Sequence, residues 1–534
     1  MRTLWAGVLA LGASCARPAA TPPVWSPNVD ADTYRNPIIF ADYSDPDAVR
    51  VGDDFYMTAS SFTSFPGLPI LHSRNLVNWR IVGHALPSFP DTAFDHPQHG
   101  NGVWAPSIRY HDNQYYIYWG DPDRGVYVVR ARDPRGPWDA PVLVKQARGW
   151  IDPAPLWDDD GNAYLVHAFA NSRAGIKSVV HVAPLSADGL RVIGEDRLVF
   201  DGRANHPTIE GPKFYKRDGY YYIFAPAGGV PTGWQTVLRS RNVYGPYEDR
   251  IVLAQGATAV NGPHQGAWID TPGGEDWFVH FQDRGAYGRI VHLQPLRWRD
   301  GWPVIGADTD GDGTGSPVSV HRRPAVAARE MPAVPQTSDI FDTTTLGLQW
   351  QWQANPRSEW WSLSSRPGWM RLEAMAMPAE TKNLWSVPSL LLQKFPAPAF
   401  TATTRVSMVG LQSGDRAGLI VMGLDYAYLA ARRTANGVEL VQMRARDSDR
   451  GTAEQGTTLT DFDASDLFFR VTVSSDGACQ FSWSRDGTRF TPLGAPFTAR
   501  EGKWIGAKVG LFAIRPTAGV RGGHADFDEL VFDR

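Results

Sequence analysis

The sequence predicts an all-β protein, a five-bladed β-propeller followed by a β-sandwich of jelly-roll type, and three observations carry that expectation. First, short aromatic, β-prone runs such as DDFYMTAS, NQYYIYWG and GYYYIFAP recur, introduced by the turn signals VGDD, HDNQ and KRDG. Second, the recurrence is periodic. Its key positions, 45, 106, 152, 210 and 264, are spaced by roughly 45 to 60 residues, the range of propeller blades with about four strands each. Third, the repeat stops after the fifth copy, a Pro/Ala-rich stretch follows, and alternating strands then run to the end without another copy.

Taken in order, residues 1–20 read as a signal peptide: MRTLWAGVLALGASCARPAA has one early Arg, a short apolar stretch and small residues before a Pro-rich tail. LGASC resembles a bacterial lipobox, with Gly12 where Leu is usual, and makes Cys15 the candidate for a lipid tether. Export is therefore expected, to the periplasm, the cell surface as a lipoprotein, or the medium of a bacterium. Residues 30–325 are assigned to the propeller and 326–338 to a linker. Residues 339–534, with FTATTRVSM, AGLIVMGL, LFFRVTVSS and ACQFSWSRDG, are assigned to the sandwich. The closing HADFDELVFD suits a last strand paired into it. With only Cys15 and Cys479 there is no disulfide framework, and Cys479 reads as a buried apolar residue. No stretch after the leader reaches the roughly eighteen apolar residues of a membrane span.

Composition narrows the function. The formal charge is −4 over 534 residues with no basic block, which argues against a nucleic-acid partner and for an uncharged or weakly charged substrate. The 21 Trp suit the apolar faces of sugars, yet propeller blades also use such rings as core, so composition does not choose between these uses.

Three carboxylates fall in phase with the repeat: Asp45 in YSDPDAVRVGDDFYM, Asp152 in WIDPAPLWDDDGNAYLVH and Glu210 in TIEGPKFYKRDGYYYIF. A single Asp before Pro is ordinary turn chemistry. Three acids in register, with His264 of GPHQGAWIDTPGGEDWFVHF in the fifth copy, are expected to converge near the propeller axis. That is the equipment of two-carboxylate bond hydrolysis. DTDGDGTG at 308–315 begins like a calcium loop, but Ser319 stands where such a loop needs a bidentate acid, so it reads as a polar turn.

These segments carry a resemblance. NPIIFADYSDPDAVRVGDDFY, SSFTSFPGLPILHSRNLVNW, VWAPSIRYHDNQYY, IDPAPLWDDDG, IEGPKFYKRDGYYY and GRIVHLQPLRW resemble, in the same order, glycoside hydrolase family 43. FDTTTLGLQWQW and SLLLQKF are similar to the concanavalin-like sandwich that often follows that domain. The resemblance implies inverting, exo-acting release of a terminal pentose from plant hemicellulose or pectin. It makes Asp45 the general base, Glu210 the general acid and Asp152 the residue that tunes and orients the acid. It further implies that Phe65, Trp104, Arg289 and His264 line the sugar site, with His264 near a structural calcium on the axis and no cofactor needed for the chemistry. At APAGGVPTGWQ the sequence departs from the EGGT-like loop of many xylosidases, which makes α-L-arabinofuranose the leading sugar. A β-xylosidase acting on xylo-oligosaccharides and a non-catalytic carbohydrate-binding propeller remain as alternatives. A retaining fructoside-cleaving propeller lacks support, since its WMNDPNG-like start is missing.

Overall fold

Five four-stranded antiparallel sheets follow one another along the chain, each built from consecutive strands, in the computed structural model, which describes residues 23–326, 332–462 and 464–534. The expected leader, Cys15 included, lies outside the described residues. The first strands of the five blades are Asp47–Val51, Trp104–His111, Trp150–Trp157, Lys213–Arg217 and His264–Asp270. Hairpin chemistry sets their registers. His111 pairs Gln114 across Asp112 and Asn113, and Arg217 pairs Tyr220 across Asp218 and Gly219. All four turn residues have positive φ, as two-residue turns matched to strand twist require.

The ring closes without a shared strand. Blades 1 and 5 instead share one apolar cluster, in which Phe55, Leu71 and Trp79 pack with Ala267, Trp277 and Leu293. The segment ahead of blade 1 reinforces the seam: Ile39 bridges Val291, and the Tyr34 hydroxyl donates to Leu293 O at 2.8 Å.

Beyond the propeller, two eight-stranded sheets face each other as a sandwich. Strand Asp466–Val473 alternates Leu467, Phe469, Val471 and Val473 inward, the period expected of a half-buried strand. Strand Tyr426–Arg433 is instead buried on both faces, because Leu384, Trp385 and Leu390 cover its outer side. Cys479 is free and buried in the sandwich core, as expected. The two parts are joined by more than a linker. Phe65 N–H donates to Trp352 O at 3.0 Å, and the sandwich core takes in Phe40, Tyr287 and Ile290 from the propeller. No helix among the described residues is long and apolar enough to cross a membrane.

Candidate active site

At the start of each blade's first strand one residue adopts a left-handed backbone: Asp45 (φ 55°), Ala105 (φ 31°), Asp152 (φ 57°), Gly211 (φ 57°) and Gln265 (φ 52°). Each precedes Pro46, Pro106, Pro153, Pro212 or Gly266, and the strand proper follows. For non-glycine residues this conformation costs on the order of 1–3 kcal/mol, and such strain gathers at functional sites. The turn defines the true repeat register. Asp45 and Asp152 are equivalent, but Glu210 sits one residue earlier, in the ring of Ser44, Trp104, Ile151 and His264. The expected key positions 106, 210 and 264 are therefore each displaced by one from the repeat.

Both rings contribute to one recess of about 110 Å³, which Asp45, Asp152 and Glu210 line together with Trp104, Arg289 and Gln265. Asp45 is encircled by donors: Ser44 Oγ at 2.8 Å, Ser60 Oγ at 2.5 Å and an Arg289 guanidinium nitrogen at 2.9 Å. These surroundings suit an anion. Arg289, expected to line the sugar site, lines the recess and also holds the carboxylate. Asp152 Oδ2 accepts from Gly211 N at 2.8 Å.

Glu210 has opposite surroundings. Burial, and next the negative charge of Asp152, raise its pKa well above the ordinary carboxylate range, with Arg289 opposing. Burial raises Asp152 as well, the Gly211 N–H opposes this, and the charge of Asp45 adds to it. Blades 3 and 4 are neighbours in the ring, which brings the charge of Asp152 to bear on Glu210. Asp45, on blade 1, adjoins neither. One acid is kept protonated toward neutral pH and one carboxylate is solvated by donors, which is the division of labour that acid–base bond cleavage needs.

Under the acids, Lys213 Nζ donates to Pro106 O at 2.9 Å and Ser107 Oγ at 3.0 Å, and Asp47 accepts from Ile108 N at 2.8 Å. These buried polar contacts stitch blades 1, 2 and 4 at the axis and hold the strand starts in place. The opposite ends of the same strands open into a wider mouth lined by Arg50, Arg109, Lys216, Arg217 and Asp270. There Asp270 is spent on an ion pair with Arg50 at 2.5 Å and Asp218 on one with Arg217 at 3.2 Å.

Two expected site residues, Phe65 and His264, are not among the residues that line the recess. Phe65 does not reach the recess: it is fully buried against Phe89 and Phe94, and its backbone pairs with Trp352. Phe62, three residues earlier, takes the wall position, because its backbone bridges Val103 and turns its ring toward Trp104 at 6.4 Å. Gly102 permits that approach; a Cβ there would meet Phe62 O at 2.4 Å. His264 is buried beside the recess with Nδ1 2.9 Å from Gly262 O, and burial holds its pKa low, at about 4. Its Nε2 has no partner among the described residues. Among the described residues no set of three His, Cys, Asp or Glu ligand atoms forms around it, and calcium takes about six to eight oxygens, so these side chains alone do not fit a calcium site. At the predicted polar turn, Asp308 accepts from Gly311 N at 2.9 Å and pairs with Arg299, so the carboxylate serves the turn.

Sequence reasoning missed Trp504, which the sandwich contributes to the recess, set edge-on to Trp104 at 6.3 Å. Asp42 positions that loop: Oδ1 accepts from Arg289 N at 2.9 Å and Oδ2 from Gly506 N at 3.0 Å. Val230, from the APAGGVPTGWQ loop, forms another part of the wall.

Comparison with known proteins fits this geometry. Residues 34–303 match the model of glycosyl hydrolases family 43, and 338–533 match the β-xylosidase C-terminal concanavalin A-like domain. A putative β-xylosidase of Xylanibacter ruminicola is 41% identical over 90% of this chain and 86% of its own. A non-reducing end α-L-arabinofuranosidase of Bacteroides ovatus is 32% identical over 79% of this chain and 81% of its own. The crystal structure of a xylan β-1,4-xylosidase from Bacillus halodurans superposes with a TM-score of 0.82 at 25% identity, covering 94% of this chain and all of that one. A two-domain chain that sets three acids in one recess of a five-bladed propeller, and matches in both domains, belongs to family 43 of the glycoside hydrolases.

Proposed function

We propose that this glycoside hydrolase removes single β-xylosyl units from the non-reducing ends of xylo-oligosaccharides, with inversion. The observation that carries the reading is the recess itself. It is small, it is walled by Phe62, Trp104 and Trp504, and its acids have divided surroundings. Glu210 protonates the departing oxygen while Asp45 draws a proton from water, and Asp152 keeps Glu210 protonated. Carboxyl groups supply every proton transfer, so the chemistry calls for no cofactor. Inversion follows because base and acid stand on blades that are not neighbours, which leaves room for a water between them.

The relatives named β-xylosidase that match nearly the whole chain move the balance from arabinofuranose, the leading sugar on sequence grounds, to xylose. The second reading, an α-L-arabinofuranosidase, is favoured by the Bacteroides ovatus relative and by the Val230 loop at the wall. The leader-like residues 1–20 support export, with Cys15 as the tether, which would bring the enzyme to plant oligosaccharides outside the cytoplasm. NMR of the first-formed product from xylo-oligosaccharides and arabinan tests sugar and stereochemistry together. The proposal expects xylose released as the α-anomer; arabinose alone would establish the second reading, and β-xylose would overturn inversion.

A further inference from the structure

On the two middle strands of blade 3, His167 and His181 stand directly opposite each other on Ala163–Phe169 and Val179–Leu185, so their side chains leave the same face of the sheet. Asp196, just ahead of strand Arg197–Asp201, reaches over that face. Its Oδ2 lies 2.6 Å from His181 Nδ1 and 3.5 Å from His167 Nε2, and one ligand atom from each of the three residues falls within 4.8 Å of the others. A tetrahedral ion with bonds of about 2.0–2.1 Å places its ligand atoms roughly 3.3 Å apart, so the cluster is within a small side-chain adjustment of a seat.

Two features of His167 point to a ligand. The ring is fully buried, yet among the described residues its Nε2 faces only the Asp196 carboxylate, at 3.5 Å and outside good hydrogen-bond geometry. Its Nδ1 lies 3.3 Å from Ala168 O; in the tautomer that donates there, the Nε2 lone pair faces the Asp196 carboxylate, acceptor against acceptor. A cation between them resolves that conflict, and a histidine that donates one ring N–H to a carbonyl is arranged as metal-binding histidines usually are. Burial also holds His167 toward its neutral, ligating form, although Asp196 opposes this. The nearby cations do not occupy the gap: Arg197 lies over Tyr244 at 4.4 Å, and Lys145 lies over the far partner of the stack, Trp150, at 5.7 Å. His181 and Asp196 keep 19% and 28% of their side-chain surface in solvent, which gives an ion an entry path and a water as fourth ligand.

We infer that His167, His181 and Asp196 form a binding site for a divalent transition-metal ion of the zinc type. Two imidazoles and one carboxylate suit such an ion better than calcium or magnesium, which prefer all-oxygen shells. The ion would clip together the second, third and fourth strands of the blade. Trp150 stacks on His167 at 3.6 Å and opens the strand that carries Asp152, so the clip braces the site's own strand without touching substrate.

The test uses the full chain with any affinity tag cut away, stripped with a chelator and titrated with Zn²⁺ alone by calorimetry, beside His181→Ala and Asp196→Asn. The wild type is expected to bind one Zn²⁺ and gain thermal stability. Each variant is expected to lose affinity by about 10- to 100-fold or more, and the gain with it, while keeping pentoside turnover. Co²⁺ loaded into the wild type should show the visible absorption of a tetrahedral nitrogen–oxygen site, a readout that does not depend on how the variants fold. Equal Zn²⁺ affinity in wild type and variants would put the ion elsewhere and overturn the inference. So would an absence of Zn²⁺ binding with destabilised variants, which would make the cluster a proton-sharing one.

Discussion

Asp152 Oδ2 takes the N–H of Gly211 at 2.8 Å, so the carboxylate of one blade is pinned against the residue that follows Glu210 in the next. The bond fixes where the Asp152 charge acts, and after burial that charge is the largest influence holding Glu210 protonated. Asp152→Asn keeps the acceptor and removes the charge, so Glu210 should lose its proton at lower pH. The alkaline limb of the kcat/KM profile is expected to move to lower pH. An unmoved or upward-shifted limb would show that Asp152 does not tune the acid.

Trp504 is half exposed and reaches the recess from the second domain, so its loss should affect binding more than folding. Trp504→Ala is expected to lower kcat/KM on xylo-oligosaccharides by roughly tenfold, about 1.4 kcal/mol, the scale of one aromatic contact, with Tm nearly unchanged. A drop in Tm with intact kinetics would make Trp504 an interface residue only.

The exchange of Phe65 for Phe62 separates stability from binding. Phe65→Ala opens a hole beside Phe89 and Phe94 and should cost about 3–5 kcal/mol by denaturant unfolding. Phe62→Leu keeps apolar volume but removes the flat wall, and should raise KM while leaving Tm nearly in place. The reverse pattern would restore Phe65 to the site.

The blades were legible because hairpin turns and aromatic runs are local features, written within about ten residues of each other. The Glu210 register was not, because aligning acids with acids hides the one-residue offset that the Asp-Pro, Ala-Pro, Asp-Pro and Gly-Pro turns define. Phe62 and Phe65 share one short motif, SSFTSFPG, and only the left-handed turn at Phe62 (φ 50°) decides which ring meets the recess. Trp504 carries no signal of its own role, since its contact with Trp104 spans two domains and depends on Asp42 holding Gly506. His167 and His181 lie on two strands and Asp196 just ahead of a third, so they meet only through strand pairing.

Asp42 is the joint between the propeller site and the sandwich loop. Asp42→Ala leaves Arg289 N and Gly506 N without their acceptor, and should cost about 1–3 kcal/mol in stability for each N–H left buried and unpaired. Turnover should fall alongside, because Arg289 and the Trp504 loop lose a common anchor. Full kinetics in a destabilised variant would mean the two walls are positioned independently.

Leaving-group dependence tests the division between Glu210 and Asp45 most directly. Protonation matters most when the departing oxygen is a poor leaving group, and activation of water matters for every substrate. Glu210→Ala should therefore lose far more activity on xylobiose than on a dinitrophenyl xyloside. Asp45→Ala should lose a factor on the order of 10² to 10⁴ on both. Equal losses for Glu210→Ala on the two substrates would contradict its assignment as the acid, and with it the account of the recess.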